Sequence, residues 1–201
     1  MDERSYLART DRIGLRHFTL ADEAEFTARA RESRELHHPW LFPPDTPATY
    51  RAYAKRLIES PDKEGFLICD RTDGGAVAGY VNINNIVHGA FRSGALGYGA
   101  FAHAAGRGLM TEALDALVRY AFAPPLNLHR LEINVQPDNA RSIALARRAG
   151  FAREGLSPRM LFVDGAWRDH ERWAVTAEMV PRRPDGTDPT GPTRRNPTRS
   201  T

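Results

Sequence analysis

The segment GRGLMTEAL, at residues 106–114, places two glycines around an arginine immediately before an apolar pattern of helical period. Glycine lets the backbone adopt conformations closed to other residues and come close to a ligand. The first N–H groups of a helix have no intrahelical partner and, together with the helix dipole, favour an anion. The segment therefore predicts a phosphate-binding loop at the N terminus of a helix.

The other side chains that could do chemistry exclude several kinds of site. Cys69 is the only cysteine, so an internal disulfide and a multi-cysteine metal site are excluded, and a buried structural thiol is favoured. The histidines lack the spacing of metal ligands; they include His37, His38, His103, His129 and His170. The segment RDH at 168–170 sets a histidine beside a carboxylate, but no nucleophile elbow accompanies it. We therefore predict neither a metal centre nor a nucleophilic triad.

Length and composition are those of one ordinary globular domain. The 201 residues are 41% hydrophobic and 26% charged, which allows a full core. The net charge is only +3, and much of the basic excess lies near the C terminus, so it is weak evidence for nucleic acid binding. No run approaches the roughly 18 apolar residues of a membrane span, and the first residues do not resemble a secretory signal. We therefore expect a cytoplasmic protein without a membrane or nucleic acid partner.

The first third of the chain predicts a strand, a helix, a loop and a second helix. Alternating apolar residues over 12–18 indicate a half-buried strand, and a capping box at Thr19 opens a helix that runs to about Ser33. Three prolines exclude regular structure from 37–44, and a further helix follows over 47–60. The loop is rich in aromatic residues, which suits either a binding role or cover for the core.

A glycine-rich strand leads into the phosphate loop. Segments 64–70, 76–87 and 94–102 are predicted as neighbouring antiparallel strands joined by turns. Glycines crowd the third of these strands, and glycine inside a strand marks a bulge or the close approach of another backbone or a ligand. Strand, loop and following helix are therefore expected to form one unit.

The remaining elements alternate before the chain closes in strands. They are a helix at 109–122, a strand at 129–135, a helix at 140–149 opened by Asp138 or Asn139, and strands in 151–179 with a hairpin turn at Asp164-Gly165. Beyond Pro181 no large apolar residue occurs, so that segment cannot bury enough surface to order itself. We therefore assign one domain to residues 1–180 and a disordered basic tail to 181–201.

Two motifs in the second half resemble the acyl-CoA-binding core of the GNAT superfamily of N-acetyltransferases. They are LGYGAFAHAAGRGLMTEAL at 96–114 and LHRLEINVQPDNARSIALARRAGFAREG at 128–155. With NIVHGAFRSGALGY and DGAWRDH they are similar, more narrowly, to the branch that acetylates the N-terminal alanine of a ribosomal protein. The resemblance covers about residues 12–180. It implies an α+β fold, with a twisted, mixed and mostly antiparallel sheet, a splayed central strand pair and flanking helices.

The same resemblance implies acetyl-CoA as cosubstrate and no metal. The pantetheine arm is expected to insert between the splayed strands, and the pyrophosphate to bind the N–H groups at the start of the helix. The implied cofactor residues are Tyr98, Gly99, Ala100, Ala105, Gly106, Arg107, Gly108, Leu109, Met110 and Asn139. The superfamily pattern Arg/Gln-x-x-Gly-x-Gly/Ala lacks both of its end residues here. Arginines 141, 147 and 148 suit either the ribose phosphate or a solvated helix face.

Acetyl transfer to an ammonium group needs a base and a proton donor for the departing thiolate. The resemblance places the superfamily's tyrosine donor at Ala146, where the tyrosine is absent, and indicates Ser142 instead. The usual glutamate base falls on Asn134, which cannot accept a proton at neutral pH but can hold a water. Glu132 shares that strand face, and either acts through the water or pairs with a nearby arginine. The implied catalytic residues are thus Ser142, Glu132 and Asn134.

The favoured acceptor is a primary amine at a protein N terminus, alanine or serine, as in a ribosomal protein. The candidate substrate contacts are Trp40, Asn84 and Asp169, of which Asp169 suits either a structural or an amine-facing carboxylate. Two alternatives stay open. One is a small-molecule amine such as a polyamine or an antibiotic, and the other is a non-catalytic acyl-CoA sensor, favoured by the missing tyrosine and glutamate. The sequence also leaves a homodimer open.

Overall fold

The computed structural model describes residues 6–181, which form eight strands and five helices. The strands are β1 (Ala8–Arg9), β2 (Ile13–His17), β3 (Glu64–Asp70), β4 (Ala76–Val87), β5 (Ser93–Ala100), β6 (Arg130–Val135), β7 (Ala152–Val163) and β8 (Ala166–Thr176). The helices are α1 (Glu23–Glu32), α2 (Arg34–His37), α3 (Pro47–Glu59), α4 (Leu109–Phe122) and α5 (Ala140–Arg148). The tail predicted from residue 181 onward lies almost wholly outside the described residues, so its disorder and the domain boundary stay predictions.

All eight strands belong to one sheet, in the order β1-β2-β3-β4-β5-β6-β8-β7. Only β5 and β6 pair in parallel among the described strands. Their pairing runs from Ser93 with Arg130 to Leu96 with Ile133, while β5 continues to Ala100 and β6 to Val135. The two strands therefore separate beyond Leu96, as the splayed pair predicted from the family resemblance requires.

The sheet has an apolar core on each face. Side chains alternate along β3, so Phe66 and Ile68 belong to the core under α4, while Leu67 and Cys69 belong to the core under α1 and α3. Cys69 is fully buried, as predicted for a structural thiol. None of the helices within 6–181 is both long enough and apolar enough to cross a membrane.

The glycine loop owes its shape to positive φ angles. Gly106 has φ of +77° and Gly108 has φ of +81°, values that side chains with a Cβ rarely adopt. Gly108 is the N-cap of α4 in the left-handed conformation. Both glycines are therefore required by the backbone itself, and a substitution such as Gly108→Val would strain the loop.

The predicted element positions hold except at three places. The segments FAREGLS at 151–157 and RMLFVDG at 159–165 indicate two strands, but residues 152–163 form the single strand β7, because its pairing with β8 continues through irregularities near Gly155 and between Ser157 and Leu161. The proline-rich loop is preceded by a short helix, α2, that ends at His37. The two-residue strand β1 was not predicted, since so short a segment has no readable alternation.

A buried ion pair fixes the start of the first helix. Arg16 on β2 donates to both carboxylate oxygens of Asp22, at 2.9 and 2.6 Å, and Asp22 closes the predicted capping box with Thr19. Their side chains are only 13% and 10% exposed. Burial alone would raise the pKa of Asp22, but the hydrogen bonds from Arg16 and Thr19 lower it below its usual 3.8.

Asp22→Asn should destabilise the protein by roughly 3 kcal/mol at pH 7, because it leaves the Arg16 guanidinium half-buried and unpaired. Since the folded pKa of Asp22 is depressed, its contribution is present above the unfolded pKa and is lost as pH falls through the folded value. Denaturant unfolding from pH 7 to pH 3 should therefore show the variant and the parent converging in acid. The control Glu32→Gln, in a surface pair with Arg29, should cost less than about 1 kcal/mol. An equal loss in both variants would contradict this assignment.

Candidate active site

Three clefts meet beside β5. The α4–α5 cleft, of about 790 Å³, runs from the glycine loop past the start of α5 to Trp40. The α3 cleft, of about 820 Å³, lies between α3 and the strands β4 and β5. The central cleft, of about 160 Å³, is the gap between β5 and β6. Leu41 and Tyr98 line all three clefts, so the clefts join at these two side chains.

The glycine loop presents unpaired amides to the α4–α5 cleft. The backbone N–H groups of 106–111 have no acceptor among the described residues, and Gly106, Gly108 and Leu109 line the cleft. Ala105 also lines the cleft, but its amide donates to the carbonyl of Ala102 at 3.3 Å. The loop therefore has the anion-binding geometry that its sequence predicts, without a contribution from the Ala105 N–H.

The side chain of Arg107 points away from the cleft, so only its backbone N–H is left for the cofactor contact that the sequence assigns to this residue. Its guanidinium lies 2.7 Å from a carboxylate oxygen of Asp70, whose side chain is 1% exposed. Burial alone would raise the pKa of Asp70, but hydrogen bonds from Thr72 and the charge of Arg107 lower it. On the same side, Arg12 donates to the Arg107 carbonyl and pairs with Glu112. These contacts hold the loop from behind while its amides face the cleft.

The end of β5 directs free backbone groups into the gap beside β6. The Phe101 N–H donates to Ala78 of β4, and backbone groups of successive strand residues point to opposite sides. Those of Tyr98 and Ala100 therefore point toward the gap, and those of Gly99 toward β4. Gly99 is small because Tyr80 occupies the space a Cβ would need, at 2.8 Å. This open edge is the place where an extended, amide-bearing ligand can pair with β5.

His37 occupies part of that open edge. It is buried, and its Nε2 donates to the carbonyl oxygen of Ala100 at 2.8 Å. Burial lowers the pKa of His37, so the imidazole is neutral at physiological pH. The side chain lines both large clefts and ties α2 to β5, and it was not identified from the sequence.

Ser142 and Tyr98 form a hydrogen-bonded hydroxyl pair where the clefts join. Their oxygens are 2.7 Å apart, and Asn139 accepts from the Ser142 amide as N-cap of α5. Burial raises the pKa of Tyr98 to about 12, although the hydrogen bond with Ser142 opposes the rise, so the phenol stays protonated. Ala146, where the superfamily's tyrosine would stand, is fully buried in the core. The sequence analysis identified Tyr98 for its backbone and missed its hydroxyl.

The two predicted groups on β6 are differently placed. Asn134 lines the central cleft, and its buried Oδ1 has no hydrogen-bond partner among the described residues. Glu132 does not line the cleft, because Arg130 donates to its carboxylate at 2.8 Å and also binds Glu154. The arginine pairing left open by the sequence is therefore present, and a role for Glu132 as base stays a prediction without support from its position.

The predicted substrate contacts are also divided. Trp40 lines both the α4–α5 cleft and the central cleft. Asn84 lines none of the three clefts, and on β4 it is the neighbouring Asn82 that does so, with a hydrogen bond to the Tyr53 hydroxyl. Asp169 is exposed, lines none of the three clefts and accepts from the Arg159 amide at 2.7 Å, a contact that favours the structural alternative.

The arginines of α5 divide in the same way. Arg141 and Arg148 line the α4–α5 cleft, whereas the guanidinium of Arg147 lies 5.8 Å from the centre of the Trp173 ring.

Residues 6–181 contain no group of three or more histidine, cysteine or acidic side chains arranged to hold a metal ion.

The model of the Acetyltransferase (GNAT) domain matches residues 12–152. This chain belongs to the GNAT family. It is 34% identical over 174 residues to the ribosomal protein uS5-alanine N-acetyltransferase of Escherichia coli, covering 83% of this chain and 89% of that protein. It is 28% identical over 123 residues to the spermidine N(1)-acetyltransferase of the same organism, covering 61% and 63%. Among solved structures, Mycobacterium smegmatis RimJ in complex with CoA-disulfide has a TM-score of 0.77 at 31% identity, covering 85% and 84% of the two chains.

Most residues predicted for this GNAT domain from its sequence lie around the joined clefts. The structure brings together Trp40, Tyr98, Gly99, Ala100, Ala105, Gly106, Gly108, Leu109, Met110, Asn134, Asn139 and Ser142. It places three others outside the clefts, namely Asn84, Glu132 and Asp169, and leaves Arg107 only its backbone N–H in the loop. The site residues that were missed include Asn82, which lies in no motif, and His170, whose RDH segment was examined only for a metal site or a triad; strand register brings both to the clefts.

Proposed function

We propose that this acetyltransferase uses acetyl-CoA to acetylate the N-terminal amine of a protein, alanine or serine, as on a ribosomal protein in the cytoplasm. The observation that carries the proposal is the junction of the three clefts at Tyr98, whose hydroxyl is hydrogen-bonded to Ser142. One cleft ends at an anion-binding loop and the other opens toward α3, so two substrates can approach the pair from different sides. The E. coli relative that covers most of the chain acts on a ribosomal protein alanine.

The residues of the α4–α5 cleft fit CoA. The free amides of 106–111 suit a pyrophosphate, and the open edge of β5 at Tyr98 and Ala100 suits the amides of a pantetheine arm. Arg141 and Arg148 are positioned on the wall of the same cleft, where guanidinium groups suit a ribose phosphate. These contacts support acetyl-CoA as the cosubstrate.

The α3 cleft favours a peptide over a polyamine. Among the described residues that line it, Asp45 is the one carboxylate, and Arg34 already pairs with it at 2.6 Å. A polyamine carries several positive charges, and burying them without carboxylate partners is costly. A peptide N terminus carries one ammonium group and otherwise neutral amides, which suit Asn82, Tyr53 and the strand backbone.

Where the clefts join, the residues of this chain position the two substrates and donate one proton to the leaving thiolate. Acetyl-CoA supplies a thioester whose carbonyl carbon is the electrophile. Asn139 and the start of α5 hold Ser142 in place, and the Tyr98 hydroxyl hydrogen-bonds to it, so Ser142 can donate its proton to a thiolate and recover one through Tyr98. Trp40 and Leu41 line the central cleft beside this pair.

Arg148→Ala should weaken acetyl-CoA binding about tenfold, or about 1.4 kcal/mol, because a charge-assisted contact to phosphate is lost. Calorimetry with acetyl-CoA and with its 3′-dephospho analogue measures the effect, and the analogue should be less affected. Arg147→Ala is the matched control. It removes the same charge from the neighbouring residue, whose guanidinium lies over the Trp173 ring and not in the cleft. Equal losses in the two variants would show that only the general charge of α5 matters.

Ser142→Ala should lower kcat by roughly 100-fold while leaving acetyl-CoA affinity within about threefold, the pattern of a group that acts in the transition state. Tyr98→Phe should give a smaller loss, and the double variant should lose little more than Ser142→Ala, because the two hydroxyls act as one unit. Steady-state kinetics on an accepted amine gives these values. If the free-energy losses of the two single variants add up in the double variant, the two hydroxyls act independently and the assignment is wrong.

Turnover on a panel of amines tests the substrate. Peptides that begin with alanine or serine should be acetylated with a kcat/KM at least tenfold above that for spermidine. Faster turnover of spermidine or of another small amine would replace the protein substrate by the small-molecule alternative. Tight acetyl-CoA binding without turnover of any amine would favour the sensor alternative.

A further inference from the structure

His170 on β8 is a buried histidine that none of the roles above uses. It is 3% exposed, and its Nδ1 lies 2.9 Å from the carbonyl oxygen of Arg168. A carbonyl only accepts, so Nδ1 carries the proton of the neutral ring and Nε2 carries a lone pair. No partner of Nε2 occurs among the described residues.

The strand register brings this ring to the reacting centre. Asn134 of β6 pairs with Arg172, and His170 lies two residues from Arg172, so His170 and Asn134 share a face of the sheet. His170 lines the central cleft together with Asn134, Ser142 and Tyr98. A proton acceptor and the proposed thiolate donor thus border one small space.

We propose that His170 is the catalytic base, and that its Nε2 takes the proton from the ammonium group of the acceptor. The inference rests on the proposed acetyl transfer. It assigns a base to this chain, in which the superfamily's usual glutamate is replaced by Asn134. The freed amine then attacks the thioester carbon, forming the C–N bond. Collapse of the intermediate breaks the C–S bond, and the thiolate takes a proton from Ser142. The second proton of the amine restores Ser142 through Tyr98, and the proton on His170 passes to solvent.

The surroundings of the ring favour this role. Facing groups on β5, β6, α5 and the loop after α2 are Tyr98, Asn134, Ser142 and Trp40, of which only the tyrosine titrates. Burial raises the pKa of Tyr98 to about 12, so it is neutral during turnover. On β7, Ser157 lies directly opposite the ring.

The charged residues nearest along the chain are on the strands themselves. They are Arg168, Asp169, Glu171 and Arg172 on β8 and Arg159 on β7. Asp169 accepts from the Arg159 amide, and Glu171 pairs with Arg153. Among the described residues, no carboxylate lines the central cleft. The competing base is Glu132, which the family resemblance implies. Its carboxylate lies outside this cleft and accepts a hydrogen bond from Arg130.

His170→Gln keeps a polar side chain of similar reach but cannot accept the proton. With an amine that the parent acetylates, kcat/KM at pH 7 should fall at least about 100-fold. The loss should shrink as pH rises toward the pKa of the amine, near 8 for a peptide N terminus, because solvent then supplies the neutral amine. Acetyl-CoA affinity should be unchanged, and added imidazole should restore part of the rate of His170→Ala.

One control variant and one comparison variant accompany the test. His129→Gln alters a histidine that binds Glu178 outside the clefts, and it should keep the parental rate and pH profile. Glu132→Gln alters the competing base, and the pH dependence of kcat/KM should change less in this variant than in His170→Gln. A pH profile changed in Glu132→Gln and unchanged in His170→Gln would overturn the assignment, as would a loss in His170→Gln that is equal at every pH.

The failure of this inference is distinguishable from failure of the proposed function. If spermidine is acetylated and peptides are not, the proposed substrate is wrong and the same comparison is made with spermidine. If no amine is turned over, NMR of the protein with 15N-labelled histidine tests the assignment through the tautomer of His170 and the response of its Nε2 to the peptide. The expected state is the Nδ1–H tautomer, with Nε2 responding to an alanine-terminated peptide in the presence of CoA. An Nε2–H tautomer, or no response of Nε2, overturns the assignment.

Discussion

Parallel pairing between β5 and β6 stops at Leu96 and Ile133, and the candidate site exists because both strands continue beyond that point. Each is held on its other side, β5 by β4 and β6 by β8, so neither can close the gap. Buried backbone groups need partners, and His37 satisfies one of them at Ala100. The others remain for an extended ligand with amides of its own, which is the chemistry of a pantetheine arm.

Ion pairs lie on the side of the glycine loop that faces away from the cleft, and the amides on the cleft side stay free. Asp70 and Glu112 engage Arg107 and Arg12 on the far side of the glycine loop. Their carboxylates would compete with an anion if they faced the cleft. Because they are occupied, the amides at the start of α4 meet the cleft without an acidic neighbour in the loop, and dipole and free N–H groups act together.

In the proposed mechanism, the groups that transfer protons come from the sheet more than from the helices. Ala146 is buried where the superfamily's tyrosine would stand, so α5 supplies only Ser142. The phenol that supports this serine comes from β5, as Tyr98, and the unpaired imidazole comes from β8, as His170. Side chains on paired strands are held more rigidly than those on loops, and rigid placement suits a reaction that depends on positioning.

The sequence by itself determined what local rules control. Strands 64–70 and 76–87, the helix at 109–122 and the cap at Asn139 follow from alternation, glycine conformation and capping, which act over a few residues. The glycine loop and the family were equally readable. Only the tertiary structure decided which polar groups meet, since Tyr98 and Ser142 are 44 residues apart and Glu132 is held by Arg130, which also binds Glu154. Pairing of strands distant in the chain depends on register over the whole sheet, and a one-residue shift would turn each of these side chains to the opposite face.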